Sequence, residues 1–335
     1  MKIYVKFLLI ITLFYQCSDK KNPVYPYEES GIAFYFLKNT NLSIQVALQN
    51  DINTLKTQSK PWLTSDDISI YDYSTHLIYL KGDKENFIPN LENQNNSGLI
   101  PFILKVKNKA VFVGALYTKS ISYLPPCPTI QGFTAFEELY PHDVIQLINM
   151  FYGISDSTDV LSDENFKQAL IQSSIYHGGI SVELDSIAIV ENSDTSTINY
   201  TFTYKNNDVD DLYLLDPSLI PADVFHCFSS GILFRDKNGN SIMPIYQEPC
   251  PLDHPYNFNP SWFTKILSKE KLVRTVNLKG YPNIPPGPYN CNFYLMCMFQ
   301  IELSQRYLAG TRYWIGRLIS NQKELNFYIN RKAIK

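Results

Sequence analysis

The pattern of apolar and polar positions changes along the chain. After residue 179, short runs of β-forming residues alternate with turn residues, and these runs cover residues 180–189, 198–204, 231–234, 241–246, 272–278 and 292–303. Residues 236–240 read Asp-Lys-Asn-Gly-Asn, and an Asn-Gly pair readily adopts the positive φ angles of a tight hairpin turn. Six or seven strands at this spacing, without a long helix, predict an all-β antiparallel sandwich over residues 179–335.

The pattern before residue 179 is mixed. Residues 31–37 have the length and composition of a strand, residues 42–47 can form a short helix, and residues 101–117 predict a hairpin that turns at Asn108-Lys109. Apolar residues recur at a loosely helical spacing over residues 134–151, where Pro141 would begin the better portion of a helix. Short helices and strands in this order predict an α+β domain over residues 30–155.

A second helix signal separates the two regions. Ser162 is a candidate N-cap, and Asp163-Glu164 would place carboxylates in the first turn of a helix that runs to about residue 175. The sequence His177-Gly178-Gly179 would end this helix, because glycine tolerates the left-handed conformation found after a helix. Residues 156–178 are therefore predicted to be a helical linker between two domains.

The first residues have the composition of an export signal. Lys2 and Lys6 accompany an apolar run over residues 7–14, and the run ends shortly before Cys17. A charged start and a short apolar core are typical of a signal peptide, here predicted over residues 1–16, and the run is much shorter than the ~20 residues of a membrane-spanning helix. Residues 17–29 are polar and predict a tether.

This start resembles the lipobox of bacterial lipoproteins, in which the chain is cut before a cysteine that then carries lipid. Gln16 and Phe14 stand where the family prefers a small residue and leucine. The resemblance implies lipidation of Cys17, membrane attachment through that lipid, and a place in the cell envelope, with the outer membrane or cell surface favoured over the inner membrane.

Two further resemblances concern the folded regions. Leu63, Thr64, Asp67 and Ile68, followed by Pro128 and Ile130 and then by Gly-Phe-Thr at residues 132–134, resemble the periplasmic P1 head region of the SecD translocase subunit over residues 63–150. Since the chain lacks the membrane helices of SecD, this resemblance implies a fold and not a function. The C-terminal strand pattern resembles immunoglobulin-like sandwich domains.

The composition is that of a folded protein without an affinity for nucleic acid. The chain has 335 residues, 45% of them hydrophobic and 18% charged, which suffices for two domains of ordinary size. A formal net charge of −3 and a pI near 6.0 give no basic surface for phosphate groups. Nucleic acid is therefore an improbable partner.

Cysteine and histidine near residues 226–254 form a candidate metal site. Cys227, Cys250 and His254, with His226, are residue types that bind zinc. Adjacent His226 and Cys227 on an extended strand would point to opposite faces, which disfavours a single four-ligand cage. Buried cysteines or a disulfide between Cys227 and Cys250 are the alternatives we favour, so that no metal or other cofactor is expected.

An oxygen-rich segment offers a second candidate. Asp208, Asp210 and Asp211, with Asn206 and Asn207, carry the ligand types that calcium prefers. The glycine and distal glutamate of an EF-hand are missing, so the pattern favours a solvated turn between strands.

The sequence contains no nucleophile elbow, no His-Glu-x-x-His motif, no phosphate loop and no dinucleotide fingerprint. We therefore expect a lipid-anchored, non-enzymatic envelope protein that recognises a protein or a glycan through its β-sandwich and loops. The alternative is an envelope-polymer hydrolase or a protease inhibitor with a site at the domain junction, where pockets often form. A role as an accessory to protein export would follow only from the SecD-like stretch.

Overall fold

A computed structural model describes residues 31–39, 41–87, 98–117, 125–131, 141–148, 160–191, 195–221, 225, 231–242, 259–281, 284–297 and 307–327. Two α-helices lie in these ranges, α1 (Ile44–Gln49) and α2 (Glu164–Gln172). The Asp163 side chain caps α2 by accepting a hydrogen bond from the Phe166 amide at 2.9 Å. The predicted helix is thus confirmed, with Asp163 rather than Ser162 as its N-cap.

The first half of the chain forms one nine-stranded sheet. Its order is β2-β1-β5-β6-β7-β8-β4-β3-β9, and its pairs are antiparallel except β6 with β7 and β3 with β9. The strands are β1 (Ile32–Phe36), β2 (Leu63–Thr64), β3 (Ile68–Asp72), β4 (Leu77–Leu80), β5 (Leu99–Val106), β6 (Lys109–Tyr117), β7 (Thr129–Gln131), β8 (Val144–Ile148) and β9 (Tyr176–His177).

Three smaller sheets follow. Their strands are β10 (Ile180–Glu191), β11 (Ser196–Asn206), β12 (Leu212–Leu215), β13 (Gly231–Asp236), β14 (Ser241–Ile242), β15 (Phe263–Ile266), β16 (Lys271–Tyr281), β17 (Gly287–Cys297), β18 (Tyr307–Leu308), β19 (Thr311–Tyr313), β20 (Gly316–Ile319) and β21 (Lys323–Phe327). The sheet orders are β10-β11-β16, β15-β12-β19-β18 and β14-β13-β17-β20, and β21 also pairs with β17.

Aromatic side chains fill the space between the first and last of these smaller sheets. The rings of Phe202 on β11 and Phe293 on β17 stack with centroids 4.5 Å apart, and Tyr200 joins them. The arrangement of the later sheets is partly compatible with the predicted all-β sandwich. The predicted hairpin at residues 236–240 is confirmed, because Gly239 has a φ of +82° in the turn between β13 and β14.

The predicted α+β domain followed by an immunoglobulin-like sandwich is wrong as a fold class. Among the described residues 53% are in strands and 14% are helical, and no distinct α+β N-terminal domain is evident. The segment Val144–Ile148, predicted as the better part of a helix, is strand β8. Its apolar run is short and β-branched, and β4 and β7 pair with its two edges, so sheet pairing overrides a loosely helical spacing.

The nine-stranded sheet and the later sheets share one hydrophobic core. Leu77, Tyr79 and Val144 of the first sheet belong to the same buried cluster as Phe202, Phe293 and other residues beyond position 179. A second cluster lies within the nine-stranded sheet, where Phe166 of α2 packs against it. Polar residues near Tyr79 are therefore buried where the sheets meet.

Candidate functional site

The edge of the nine-stranded sheet brings two titratable residues together. Strands β3 and β9 are parallel, and Asp72 lies opposite His177 in their register. The Tyr73 amide donates a hydrogen bond to the His177 carbonyl at 2.7 Å, which fixes this pairing. Asp72 is the last residue of β3, and His177 is the last residue of the edge strand β9. Both residues therefore lie where the chain continues into the later sheets.

The hairpin of β10 and β11 brings a second carboxylate to the same place. Ile180 pairs with Asn206, so the residues just before β10 meet those just after β11. Nδ1 of His177 consequently lies 2.9 Å from Oδ1 of Asp208, a hydrogen-bond distance. Asp210 lies further along the same loop, with its Oδ2 3.7 Å from Nδ1 of His177.

Gly179 makes this approach feasible. Its φ is +63°, a left-handed conformation, and a Cβ at this position would overlap Ser74 Oγ and Asp72 Oδ1. The Gly179 amide donates a long hydrogen bond of 3.4 Å to Oδ2 of Asp208. A side chain here would therefore push apart the groups that the two sheets bring together.

Arg312 on β19 lies between the two fully buried carboxylates. Its Nη2 is 3.3 Å from Oδ2 of Asp208 and 3.6 Å from Oδ2 of Asp72. Its Nη1 donates to the Tyr79 hydroxyl at 3.3 Å, and the guanidinium lies 5.3 Å from the centre of the Tyr79 ring. A buried cation thus links the first sheet to the loop after β11.

Ser74 closes the network on the other side. Its hydroxyl donates to Oδ1 of Asp72 at 2.6 Å and accepts hydrogen bonds from the Ile180 amide at 3.2 Å and from Nε1 of Trp314 at 3.4 Å. Because Ile180 and Trp314 belong to the later part of the chain, this hydroxyl connects the two parts. All the hydrogen-bonding capacity of Ser74 Oγ is used in holding the junction.

The surroundings shift the pKa values of these groups. Burial raises the pKa of Asp72 against the opposing charge of Arg312. Burial acts to raise the pKa of Asp208 as well, but the hydrogen bond and charge of His177 and the charge of Arg312 outweigh it, and the pKa lies below its usual value. Burial acts to lower the pKa of Arg312, yet Tyr79 and the two carboxylates raise it.

An open cleft lies beside this network, and we call it the junction cleft. It has a volume of about 410 Å³, within the range of small-ligand sites. Its lining residues are Ile70, Val209, Asp210, Asp211, Tyr307, Gly310, Thr311 and Arg312. Val209 is 64% exposed and Tyr307 is 51% exposed, so apolar surface is available at the rim. Asp211 is paired with Lys265 at 2.9 Å.

The residues predicted from the sequence as candidate sites are distributed differently. Cys17, Cys227, Cys250 and His254, with the proposed disulfide and zinc interpretation, lie outside the described residues. The interpretation of residues 206–211 as a solvated turn is wrong for Asp208, which is fully buried, whereas the Asp210 side chain is 64% exposed. Long-range contacts with β9 and β19 bury Asp208, and a local pattern does not reveal them.

Three cysteines are described, and all are free and buried. Cys291 and Cys297 on β17 act as small apolar core residues. Burial raises the pKa of Cys127 and of Cys291 to about 12, so neither thiol is activated as a nucleophile.

Neither a scan of protein-family models nor a search of curated proteins finds a match for this chain. Among the residues that the structure describes, no helix is both long and apolar enough to cross a bilayer.

Proposed function

We propose that this protein is a lipid-anchored, non-enzymatic binding protein of the cell envelope that holds an exposed segment of a partner protein in the junction cleft. The junction cleft carries the proposal, because exposed Val209 and Tyr307 lie there among polar residues and beside the buried network. A preformed cleft of this kind lowers the entropic cost of binding.

The chemistry of the junction cleft favours a protein segment over a glycan. Tyrosine is enriched in protein interfaces, and half-exposed Tyr307 and Val209 offer apolar surface that a partner would remove from water. The side chain of Val209 has no group that could hydrogen-bond to a sugar hydroxyl. Glycan binding is the other outcome that the experiments below distinguish.

The charges of the junction cleft indicate the kind of segment. Within the described residues, Asp211 has Lys265 as its ion-pair partner, but the only basic side chain beside Asp210 is the imidazole of His177 at 3.7 Å. Arg312 is already shared by two buried carboxylates. We therefore expect the partner to present an apolar side chain next to a lysine or arginine.

The anchor rests on the sequence around Cys17. Metabolic labelling with a palmitate analogue should label the wild-type chain in a bacterial host and leave Cys17→Ala unlabelled. Protease treatment of intact cells would then report which side of the envelope the folded part faces. An unlabelled wild type would contradict the anchor without bearing on the junction cleft.

Site-specific photocrosslinking tests the binding site in cells. A benzophenone side chain at Tyr307 of the full chain should form an adduct with one protein, and Asp210→Lys should weaken that adduct. Val190 provides the control, because it is 49% exposed, does not line the cleft, and lies ten residues along β10 from Ile180, roughly 33 Å from that residue. Mass spectrometry of the crosslinked peptide should identify a segment with a basic residue.

Three results would overturn the proposal. Equal adducts from Tyr307 and Val190 would mean that the junction cleft has no preference for the partner. Binding of purified glycans that is lost in Tyr307→Ala would assign the cleft to a sugar. A turnover activity of the purified chain that depends on a cleft residue would instead make the protein an enzyme.

A further inference from the structure

We infer that His177, Asp208 and Asp210 bind one divalent metal ion of the zinc type at the wall of the junction cleft. This inference goes beyond the partner proposed above but shares Asp210 with it, so a bound ion and a basic residue of the partner would compete for that carboxylate. It rests on the convergence of three metal-binding atoms and on two buried carboxylates that share one guanidinium.

The three side chains converge at the spacing of a metal site. Nδ1 of His177, an oxygen of Asp208 and an oxygen of Asp210 all lie within 4.8 Å of one another. In a tetrahedral zinc site with bonds of about 2.0–2.1 Å, ligand atoms are roughly 3.3 Å apart. The observed separations from Nδ1, 2.9 Å to Asp208 and 3.7 Å to Asp210, each differ from that value by a few tenths of an ångström.

The ligand types identify the class of ion. An imidazole nitrogen with two carboxylates suits zinc and neighbouring transition metals, whereas calcium and magnesium prefer oxygen ligands alone. Asp208 is already oriented for this role, because the Gly179 amide and Arg312 hold its Oδ2, while Oδ1 faces His177 and accepts a hydrogen bond from the Asp210 amide at 3.2 Å. Such outer contacts fix the geometry of ligating carboxylates.

A second observation concerns the buried charge next to His177, Asp208 and Asp210. Oδ2 of Asp72 is fully buried and has no hydrogen-bond partner in the described structure, and it lies 3.6 Å from the same guanidinium nitrogen that contacts Asp208. Asp72 and Asp208 therefore share the guanidinium of Arg312, and Asp208 and Asp210 share the imidazole of His177. Asp72 and Asp208 are both fully buried and depend on the single guanidinium of Arg312, and a divalent ion at Oδ1 of Asp208 would add positive charge beside them.

Binding replaces the proton between His177 and Asp208. The neutral imidazole moves its proton from Nδ1 to Nε2, the Nδ1 lone pair forms the bond to the metal, and Oδ1 of Asp208 binds the ion in place of that proton. No net proton is released from a neutral imidazole, and one proton passes to solvent from a protonated one. The ion then joins β9 of the first sheet to the loop after β11, and its remaining coordination position would face the junction cleft, where Asp210 is exposed.

Calorimetric titration of the chelator-treated full chain with ZnCl₂ tests the site. We expect one zinc site that Asp210→Asn weakens at least tenfold and His177→Gln abolishes. Asp210 is exposed, and its ion-pair contact with His177 is long at 3.7 Å. Asp210→Asn should therefore fold even if His177→Gln does not. His142→Gln is the matched control, because His142 is an exposed histidine outside the trio and its loss should leave zinc binding unchanged.

Cobalt provides a spectroscopic test of the same ligands. Co²⁺ bound in place of zinc should give the intense visible bands of tetrahedral coordination, and Asp210→Asn should alter them. Zinc binding that persists in both trio variants, or that disappears in Cys227→Ser, would overturn the inference. Tighter binding of CaCl₂ than of ZnCl₂ would also contradict it.

Discussion

Replacing Arg312 with methionine tests the role of the buried charge network. Methionine preserves much of the side-chain length but removes the cation that Asp72 and Asp208 share at 3.6 and 3.3 Å. Both carboxylates are fully buried, and Arg312 is only 4% exposed, so water cannot replace the lost charge. Removing one partner of a buried ion pair typically costs about 3–5 kcal/mol, and we expect a loss of that size in the free energy of unfolding.

Urea denaturation followed by tryptophan fluorescence measures this loss, since Trp314 is fully buried beside the network. Arg317→Met is the matched control. Arg317 also lies over a tyrosine ring, with its guanidinium 5.8 Å from the centre of Tyr294, but it is exposed on β20. Its replacement should cost less than about 1 kcal/mol.

A double variant separates stranded charge from lost packing. Asp72→Asn keeps the oxygen that accepts the Ser74 hydrogen bonds and removes the charge. If the stranded carboxylates cause the loss, Asp72→Asn with Arg312→Met should be more stable than the sum of the single effects by about 1 kcal/mol or more. Additive effects, or a loss below about 1 kcal/mol for Arg312→Met, would refute the network as the link between the sheets.

Three further outcomes follow from single residues. Gly179→Ala should destabilise the protein more than Gly239→Ala. Both glycines have a positive φ that costs about 1–2 kcal/mol for alanine, but only at Gly179 would the added Cβ overlap the side chains of Ser74 and Asp72. Urea denaturation compares the two variants, and equal losses of stability would contradict the close packing around Gly179. Cys127, with a pKa of about 12, should resist iodoacetamide in the folded protein and react in urea, as mass spectrometry would report. Asp216→Ala should lower the free energy of unfolding by about 3–5 kcal/mol in the same assay, because it leaves part-buried Arg274 without the fully buried carboxylate that lies 2.6 Å away. A loss under about 1 kcal/mol would contradict this expectation.

Local signals in the sequence predicted local structure well. The strand at residues 31–37, the hairpin between β5 and β6 and the helix after Asp163 all appear, because each depends on residues close in the chain. The prediction fails at Val144–Ile148, where a short apolar run fits a helix or a buried strand equally and only the neighbouring strands decide.

The candidate site depended on contacts that local patterns do not contain. His177 was interpreted as the end of a helix, although it pairs with β3 and reaches Asp208. One signal was available: two consecutive predicted strands, residues 180–189 and 198–204, would pair as a hairpin and bring residues 177 and 208 to the same end. Arg312 carried no such signal, because its position depends on the parallel pairing of β12 with β19.

The binding role of the junction cleft is the central claim, and one titration tests it most directly. A synthetic peptide with the sequence of the segment crosslinked to Tyr307 would be titrated into the purified full chain. We predict saturable binding to the wild type, at least tenfold weaker binding to Tyr307→Ala, and unchanged binding to Val190→Ala. Equal affinity for all three proteins, or no binding to the wild type, would contradict the claim.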